Sequence, residues 1–321
     1  MKQKGKWLIP VVLLALMAVS FRLSAQLRFL CPSVSLRYDA PLTNQQVEWA
    51  RAGHEENGTP YLTFWTESQT FVAFQDTGAA AAQILYNGDP ELPYPVTYRH
   101  GGSPGFDKTA CAVSTGLAWE LWKADRVVGM TVEIDGREYT VSGVFEEEDC
   151  RLFRWADSGF TAVEIPEVPK GEDSYRYALD LAAQSGLGHP TGILWGSGMA
   201  AIGQLLCFAP LILAGCILVL PYLARLRKLP GLVWCVLILG IVLALPWILE
   251  LLPGWLVPTR WSDFGFYGRL WDTFCQRWQD LLMLSPTPMD AQRKALFLGL
   301  LFSCLGSCVL TAEFKRSYFS K

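Results

Sequence analysis

The sequence predicts a membrane protein in which an α+β extracytoplasmic domain is inserted between transmembrane helix 1 and a three-helix transmembrane bundle. The 321 residues are 51% hydrophobic and 18% charged, whereas soluble domains carry about 25% charged residues. Four windows contain no Asp, Glu, Lys or Arg. A membrane-spanning helix needs about 20 predominantly apolar residues. The windows are Trp7–Phe21, Met199–Ala224, Leu229–Leu249 and Ala295–Ala312. A purely soluble enzyme and a disordered tail are therefore excluded.

The first window is the shortest, and its charge order also suits a signal peptide, because three lysines precede it and Arg22 follows it. Leu23, however, stands where a cleavage site needs a small residue before Ala25. We therefore expect a retained anchor, whose flanking Lys6 and Arg22 can reach the membrane surface.

The distribution of charge predicts the orientation of the chain. The predicted segments are a cytoplasmic tip with helix 1 (1–24), an extracytoplasmic domain (25–197), helix 2 (198–224), a short cytoplasmic link (225–230), helix 3 (231–252), an outer loop (253–294), helix 4 (295–312) and a cytoplasmic tail (313–321). The cytoplasmic pieces 1–6, 225–228 and 313–321 hold nine basic residues and one acid, and the remainder holds 18 basic and 29 acidic residues. Positive charge favours the cytoplasmic side, so we expect both termini on the cytoplasmic side of the plasma membrane. The acidic outer domain argues against nucleic acid as a partner.

Within the outer domain, local signals predict helices and strands without a regular βαβ repeat. Leu42–Gly53 is predicted to be a helix capped by Thr43 or Asn44. Tyr61–Trp65 and Thr70–Phe74 are rich in aromatic and β-branched residues, which favours strands. The sequence of residues 87–90, Asn-Gly-Asp-Pro, predicts a turn.

The second half of the domain gives the clearest local signal. Ser114 or Thr115 can cap a short helix. Met130–Ile134 and Tyr139–Phe145 then alternate between apolar and polar residues around Asp135-Gly136, which predicts a β-hairpin with a type I′ turn. A second helix is predicted for Ser174–Ser185.

The chain offers little catalytic chemistry. The pattern Gly-Gly-Ser-Pro-Gly at 101–105 matches GxSxG, but Pro104 cannot donate the backbone N–H that a hydrolase oxyanion hole needs after Ser103. Neither a Cys/His cluster nor a CxxC motif is present, so we expect no metal site. Without a phosphate-binding P-loop, the chain cannot itself be a P-loop ATPase. We expect no enzyme activity, no catalytic residue and no cofactor. Cys111 and Cys150 lie outside the membrane, and their pairing stays open.

In the predicted bundle, small residues recur at helical spacing. Gly299, Ser303 and Ser307 share one face of helix 4, and Gly240 and Ala244 repeat the pattern in helix 3. Small residues let helices approach closely in lipid. They are candidates for packing either within one bundle or between two copies.

The outer loop contains an amphipathic segment. Its apolar stripe consists of Tyr267, Leu270, Trp271, Phe274, Trp278, Leu281 and Leu282. Such a helix suits the surface of a bilayer, but it could equally cap the bundle or brace the outer domain.

The segment Cys111–Phe145 resembles a known family. It reads CAVSTGLAWELWKADRVVGMTVEIDGREYTVSGVF and is similar to the extracytoplasmic core domain of MacB-type ABC transporter permeases, the FtsX-like group. The layout of one span, a large outer domain and three spans also resembles that family. The resemblance implies a permease-like subunit that transmits the motion of a separate ATP-binding subunit to the outer domain. It further implies a homodimer or a related permease as partner in the lipid bilayer.

One feature departs from the family pattern. Permeases that work with an ATPase carry a coupling helix between spans two and three, whereas residues 225–230 are too few for several helical turns. Arg225, Arg227 and Lys228 in this link are the candidate contacts for a cytoplasmic partner. The alternative function is therefore a non-transporting, membrane-anchored binding or sensor protein that has lost ATPase coupling.

Overall fold

The structure is a computed structural model that describes residues 8–166, 168, 172–226, 265–284 and 287–319. The elements along the chain are α1 (Leu8–Leu30), β1 (Val34–Arg37), α2 (Asn44–Asn57), β2 (Thr63–Phe74), β3 (Thr77–Asn87), β4 (Tyr98–Gly101), β5 (Ala110–Ser114), α3 (Thr115–Trp122), β6 (Thr131–Ile134), β7 (Arg137–Phe145), β8 (Arg151–Trp155), β9 (Ala162–Ile165), α4 (Ser174–Gln184), β10 (Gly192–Leu194), α5 (Gly196–Leu226), α6 (Phe266–Met283) and α7 (Pro288–Phe319). The predicted α+β domain between apolar helices is confirmed.

Three of the described helices are long and apolar enough to cross a membrane. The qualifying stretches are Pro10–Leu30, Gly196–Ile217 and Pro288–Phe314. The predicted helix 3, residues 231–252, lies outside the described residues. Helix α1 continues past the predicted boundary at residue 24, and α7 begins before residue 295. In the α7 extension, the polar residues Asp290 and Arg293 have protein partners.

The three long helices pack against one another, with α1 antiparallel to α5 and α7. Helix α1 ends at the outer domain, whereas α5 and α7 begin there. The phenyl rings of Phe21 and Phe208 meet edge to face, and the Cys207 thiol lies 3.4 Å from the Ser20 carbonyl oxygen, which joins α1 to α5. A Cβ added to Gly203 of α5 would lie 2.8 Å from Leu300 of α7, so this glycine permits the close approach of the two helices.

The outer domain is built on one ten-stranded mixed sheet, whose main path is β10-β1-β9-β2-β3-β8-β5-β7-β4. Strand β6 pairs with β7 and also with Val72 and Ala73 of β2. The path β2-β3-β8-β5-β7-β6 thus returns to β2 and forms a closed half of the sheet. Leu117, Ala118 and Leu121 of α3 are buried in the core of this half. A second core, under α2 and α4, fills the open half.

The local predictions in the domain are largely confirmed. Thr43 caps α2 and exchanges hydrogen bonds with Gln46 in a capping box. Ser114 caps α3. The hairpin β6–β7 turns at Asp135 and Gly136, whose φ values of 53° and 74° are those of a type I′ turn.

Strand β2 differs from the prediction. The two expected short strands, Tyr61–Trp65 and Thr70–Phe74, form the single strand β2. The polar residues between them stay extended because each pairs with β3, as Glu67 does with Ile84.

Cys111 and Cys150 are free thiols, and burial raises the pKa of Cys111 to about 12.

Candidate functional site

The outer domain and the membrane helices meet through two direct chain connections. Strand β1 begins four residues after α1 ends, and β10 is separated from α5 by Trp195 alone. The two strands are antiparallel neighbours, with Ser35 opposite Leu194. At this junction a Cβ on Gly196 would lie 2.6 Å from the carbonyl oxygen of Ser33, and the backbone N–H of Ser197 donates to that oxygen at 3.2 Å. Two neighbouring strands therefore continue directly into two spans.

A buried arginine joins three separate parts of the chain at the same level. Arg293, in the second turn of α7, is 2% exposed. Its Nε donates to the carbonyl oxygen of Leu30, the last residue of α1, at 2.7 Å. Its Nη2 donates to the carbonyl oxygen of Pro93 in the outer domain at 3.0 Å. The orphan carbonyl at the end of α1 is thus satisfied by the guanidinium of another span.

The neighbouring carboxylate holds a second arginine. Asp290 is fully buried and accepts from Arg293 at 3.3 Å and from Arg37 of β1 at 3.1 Å. Thr287 caps α7 and exchanges hydrogen bonds with Asp290. The guanidinium carbon of Arg37 lies 4.4 Å from the ring centre of Trp65 on β2, a cation–π contact. Asp290 therefore links α7 to the strand that extends α1.

A second buried carboxylate completes this set. Glu164 of β9 is fully buried, accepts from the Trp65 indole N–H at 3.0 Å, and accepts from the hydroxyl of Ser33 in the α1–β1 connection. We call Arg37, Asp290, Arg293 and Glu164 the junction cluster. Its two positive and two negative charges balance. Burial beside it raises the pKa of the Cys31 thiol to about 11.

The energetics of such a cluster favour one fixed arrangement. Taking charges out of water is costly, and the cost is offset only when every partner is in place. Removing one partner of a buried pair costs about 3–5 kcal/mol. The members of the cluster come from β1, β9 and α7, and Arg293 also bonds the end of α1, so the cluster sets the position of α1 and α7 relative to the sheet.

A second buried arginine lies above the junction cluster in the outer domain. Arg151 is 5% exposed and donates to Glu67 at 2.8 Å and to Glu147 at 3.1 Å. The hydroxyl of Tyr94 also donates to Glu147, at 2.7 Å. Burial raises the pKa of Glu147, and burial together with this hydrogen bond raises that of Tyr94. One arginine here faces two glutamates, which leaves an excess of negative charge.

Helix α6 braces the outer domain and the bundle together. Arg277 forms an ion pair with Asp173, the cap of α4, and Asp280 accepts from the hydroxyl of Tyr175 at 2.9 Å. On the bundle side, Leu281 is buried, and the Trp278 ring lies 5.0 Å from that of Phe297 in α7, measured between ring centres.

The face of α6 that contacts the domain and the bundle therefore carries both apolar and charged side chains. The predicted apolar stripe is divided, because Tyr267, Trp271 and Leu282 are exposed, while Arg277 and Asp280, which do not belong to the stripe, contact the domain. The ion pair with α4 decides the rotation of the helix.

The predicted packing residues of helix 4 lie against α1. The hydroxyl of Ser303 is 2.8 Å from that of Ser20 and donates to the carbonyl oxygen of Leu16 at 3.1 Å. Ser307 is fully buried and donates to the backbone of its own helix. A Cβ on Gly299 would meet Leu23 at 3.7 Å. These contacts belong to packing within one chain.

Most of the other predicted residues lie outside the part of the chain that the structure describes. Gly240, Ala244, Arg227 and Lys228 lie outside the described residues, and so does the side chain of Arg225, whose backbone belongs to the last turn of α5. Ser103 accepts from the backbone N–H of Gly105 in a loop. Among the described residues there is no group of three or more His, Cys, Asp or Glu side chains that could hold a metal ion.

Sequence reasoning missed the junction cluster. In the sequence-based prediction, Asp290 and Arg293 lie in the outer loop, and no motif marks Arg37 or Glu164 as functional residues. A local signal did exist, because Thr287-x-x-Asp290 before an apolar run resembles a capping box. It locates the start of α7 but not the partners of its side chains.

Comparison with known proteins gives matches at the level of structure. The extracellular domain of the noncanonical ABC-type transporter YknZ from Gram-positive bacteria is 12% identical, with 47% of this chain and 94% of that chain covered and a TM-score of 0.37. The periplasmic region of MacB from Actinobacillus actinomycetemcomitans is 10% identical, with 53% and 91% covered and a TM-score of 0.43.

This chain is similar to the outer domains of MacB-type permeases. A third match, a domain described as part of a permease from Porphyromonas gingivalis, is 16% identical, covers 48% of this chain and 83% of that chain, and has a TM-score of 0.35. No family model and no curated protein sequence matches the chain.

Proposed function

We propose that this protein is a permease-like subunit of an ABC-type system, which transmits the movement of a cytoplasmic ATPase through its spans to the extracytoplasmic domain. The observation that carries the proposal is the buried Arg293, which holds the end of α1, the start of α7 and the outer domain at one point. A rotation or shift of α7 must move Leu30 and Pro93 with it, or break hydrogen bonds that are shielded from water.

The chain connections support the same role. Strands β1 and β10 pair with each other and continue into α1 and α5. A change in the angle between these spans would be passed to two adjacent strands without a flexible linker. The protein itself would not be an enzyme, and ATP hydrolysis would belong to a separate subunit.

The second candidate function is the sensor or binding protein that has lost ATPase coupling. The short link of residues 225–230 favours it, because a docking helix of several turns does not fit there. In that case the same junction would carry a signal from the outer domain towards the membrane.

Co-purification separates the two. The full chain would be expressed together with an ATP-binding subunit of the ABC type and purified through a tag on the chain. We expect association, and ATPase activity that depends on the chain. Arg293→Met should reduce that stimulation and leave association intact, whereas the exposed Arg28→Met should change neither. Absence of association and of stimulation would contradict the coupled function and leave the sensor role.

A further inference from the structure

We propose that a groove beside the junction cluster binds a membrane phospholipid whose head group carries a free amine. The groove lies between the outer ends of α1 and α7 and beneath the outer domain. Its volume is about 690 Å³, within the range of about 300–1,000 Å³ that is typical of small-molecule sites. This assignment does not depend on the proposed function.

The groove is lined by α1, α7 and the outer domain, which the junction cluster connects. Helix α1 contributes Gln26 and Phe29, and α7 contributes Gln292 and Leu296. The outer domain contributes the segment from Tyr94 to Thr97 and the pair Glu146 and Glu147. The part formed by the helices belongs to stretches long and apolar enough to span a bilayer, so the groove lies where such stretches leave the membrane.

The lining of the groove changes from apolar to acidic from its membrane end towards the outer domain. At the end of the groove farthest from the outer domain, Ala25 of α1 and Leu296 of α7 offer apolar surface to an acyl chain. Gln292, one turn of α7 nearer the outer domain, and Gln26 supply amide N–H donors, which suit a phosphate. Phe29, which is 54% exposed, lies between Gln26 and the outer domain. Glu146 and Glu147 supply carboxylates at the end nearest the outer domain. From Leu296 through Gln292 to the glutamates, the lining follows the order of acyl chain, phosphate and amine in an aminophospholipid.

The charge of the lining residues determines which lipid head group the groove would bind. No Lys, Arg or His of the described residues lines the groove. Arg151 lies behind Glu147 but is shared with Glu67, and Arg293 is turned towards Asp290 and two backbone carbonyls. The two glutamates of the groove are therefore left with an excess of negative charge, which a primary ammonium group would neutralise through charge-assisted hydrogen bonds. An anionic head group would be repelled.

The test is a direct binding measurement on the full chain in detergent. Short-chain phosphatidylethanolamine would be titrated by calorimetry and compared with phosphatidylglycerol of the same chain length, with the N-acetylated lipid, and with soluble phosphoethanolamine. We expect binding of the first lipid alone. Tight binding of the amine-blocked or anionic lipid would overturn the proposal, and equal binding of phosphoethanolamine would overturn the assignment to a lipid.

Variants locate the site. Glu146→Gln changes an exposed side chain, and the loss of one charge-assisted hydrogen bond should weaken binding about tenfold. Glu148→Gln, two residues further along and not in the lining, should bind as the wild type does. Ala25→Trp, which fills the apolar end, should abolish binding. If Glu146→Gln and Ala25→Trp both retain wild-type affinity, the groove is not the lipid site.

Discussion

The guanidinium of Arg293 donates to the carbonyl oxygen of Leu30 at 2.7 Å, although the two residues are 263 positions apart in the sequence. The contact joins the end of the first span to the start of the last described one. It is shielded from water, since Arg293 is 2% exposed.

Arg293→Met should destabilise the protein strongly. Methionine keeps an unbranched side chain but leaves the carbonyl oxygens of Leu30 and Pro93 without this donor and Asp290 without one of its two arginines. A loss of about 3–5 kcal/mol in the free energy of unfolding is expected. Unfolding of the purified chain in detergent, followed by circular dichroism, measures it. Arg28→Met changes an exposed arginine at the same end of α1 and should fall within about 0.5 kcal/mol of the wild type. Equal stability of the two variants would contradict this role of Arg293.

Gly196→Ala should disturb the connection between β10 and α5. The added methyl group would lie 2.6 Å from the carbonyl oxygen of Ser33, so the two chain segments must move apart, at a cost of about 1–3 kcal/mol. Gly215→Ala in the same helix has open space around its Cβ and should be neutral or stabilising by up to about 1 kcal/mol. A thermal melt of both variants checks the contrast, and the same shift in both would remove the argument from close approach.

Ser303→Leu should separate α7 from α1. The larger side chain would break the hydrogen bonds to Ser20 and Leu16 and overfill a close helix contact, at about 1–3 kcal/mol. Phe302→Leu alters a neighbouring side chain that is 68% exposed and should have a smaller effect. The loss of stability on heating compares them. A larger effect of the Phe302 change would show that the helix contacts lie on the other face.

The stability of the protein should contain a pH-dependent contribution from Glu147. Burial raises its pKa from the ordinary value of 4.5, so the folded state binds a proton there more tightly than the unfolded state. The contribution is fully present below pH 4.5 and is lost as the pH rises through the raised pKa. In the Glu147→Gln variant, stability should decrease less over that interval. Unfolding measured at several pH values tests this, with Glu148→Gln as the matched control. An unchanged slope in Glu147→Gln would contradict it.

Several elements followed from local sequence alone. The apolar windows around α1, α5 and α7 predicted membrane-spanning helices, because lipid requires long uncharged runs. Thr43 and Ser114 marked the starts of α2 and α3, and Asp135-Gly136 fixed the hairpin turn, because caps and tight turns depend on a few adjacent residues.

The junction could not be predicted in the same way. In the sequence, Arg37, Glu164, Asp290 and Arg293 are ordinary charged residues that no functional motif marks. Their pairing depends on which strands and helices lie side by side, and a buried ion pair leaves no periodic pattern. The rotation of α6 was missed for the same reason, because the ion pair of Arg277 with Asp173 turns a polar side chain inwards.

The sequence by itself thus determined the membrane character of the chain, the position of its inserted domain and the local turns and caps, all of which depend on neighbouring residues. The tertiary structure alone decided that the sheet closes through β6, that α7 is held at the end of α1 by Arg293, and that a groove with two glutamates opens beside them. These features depend on contacts between distant segments, because the cost of burying the charges is offset only when the complete fold brings their partners together.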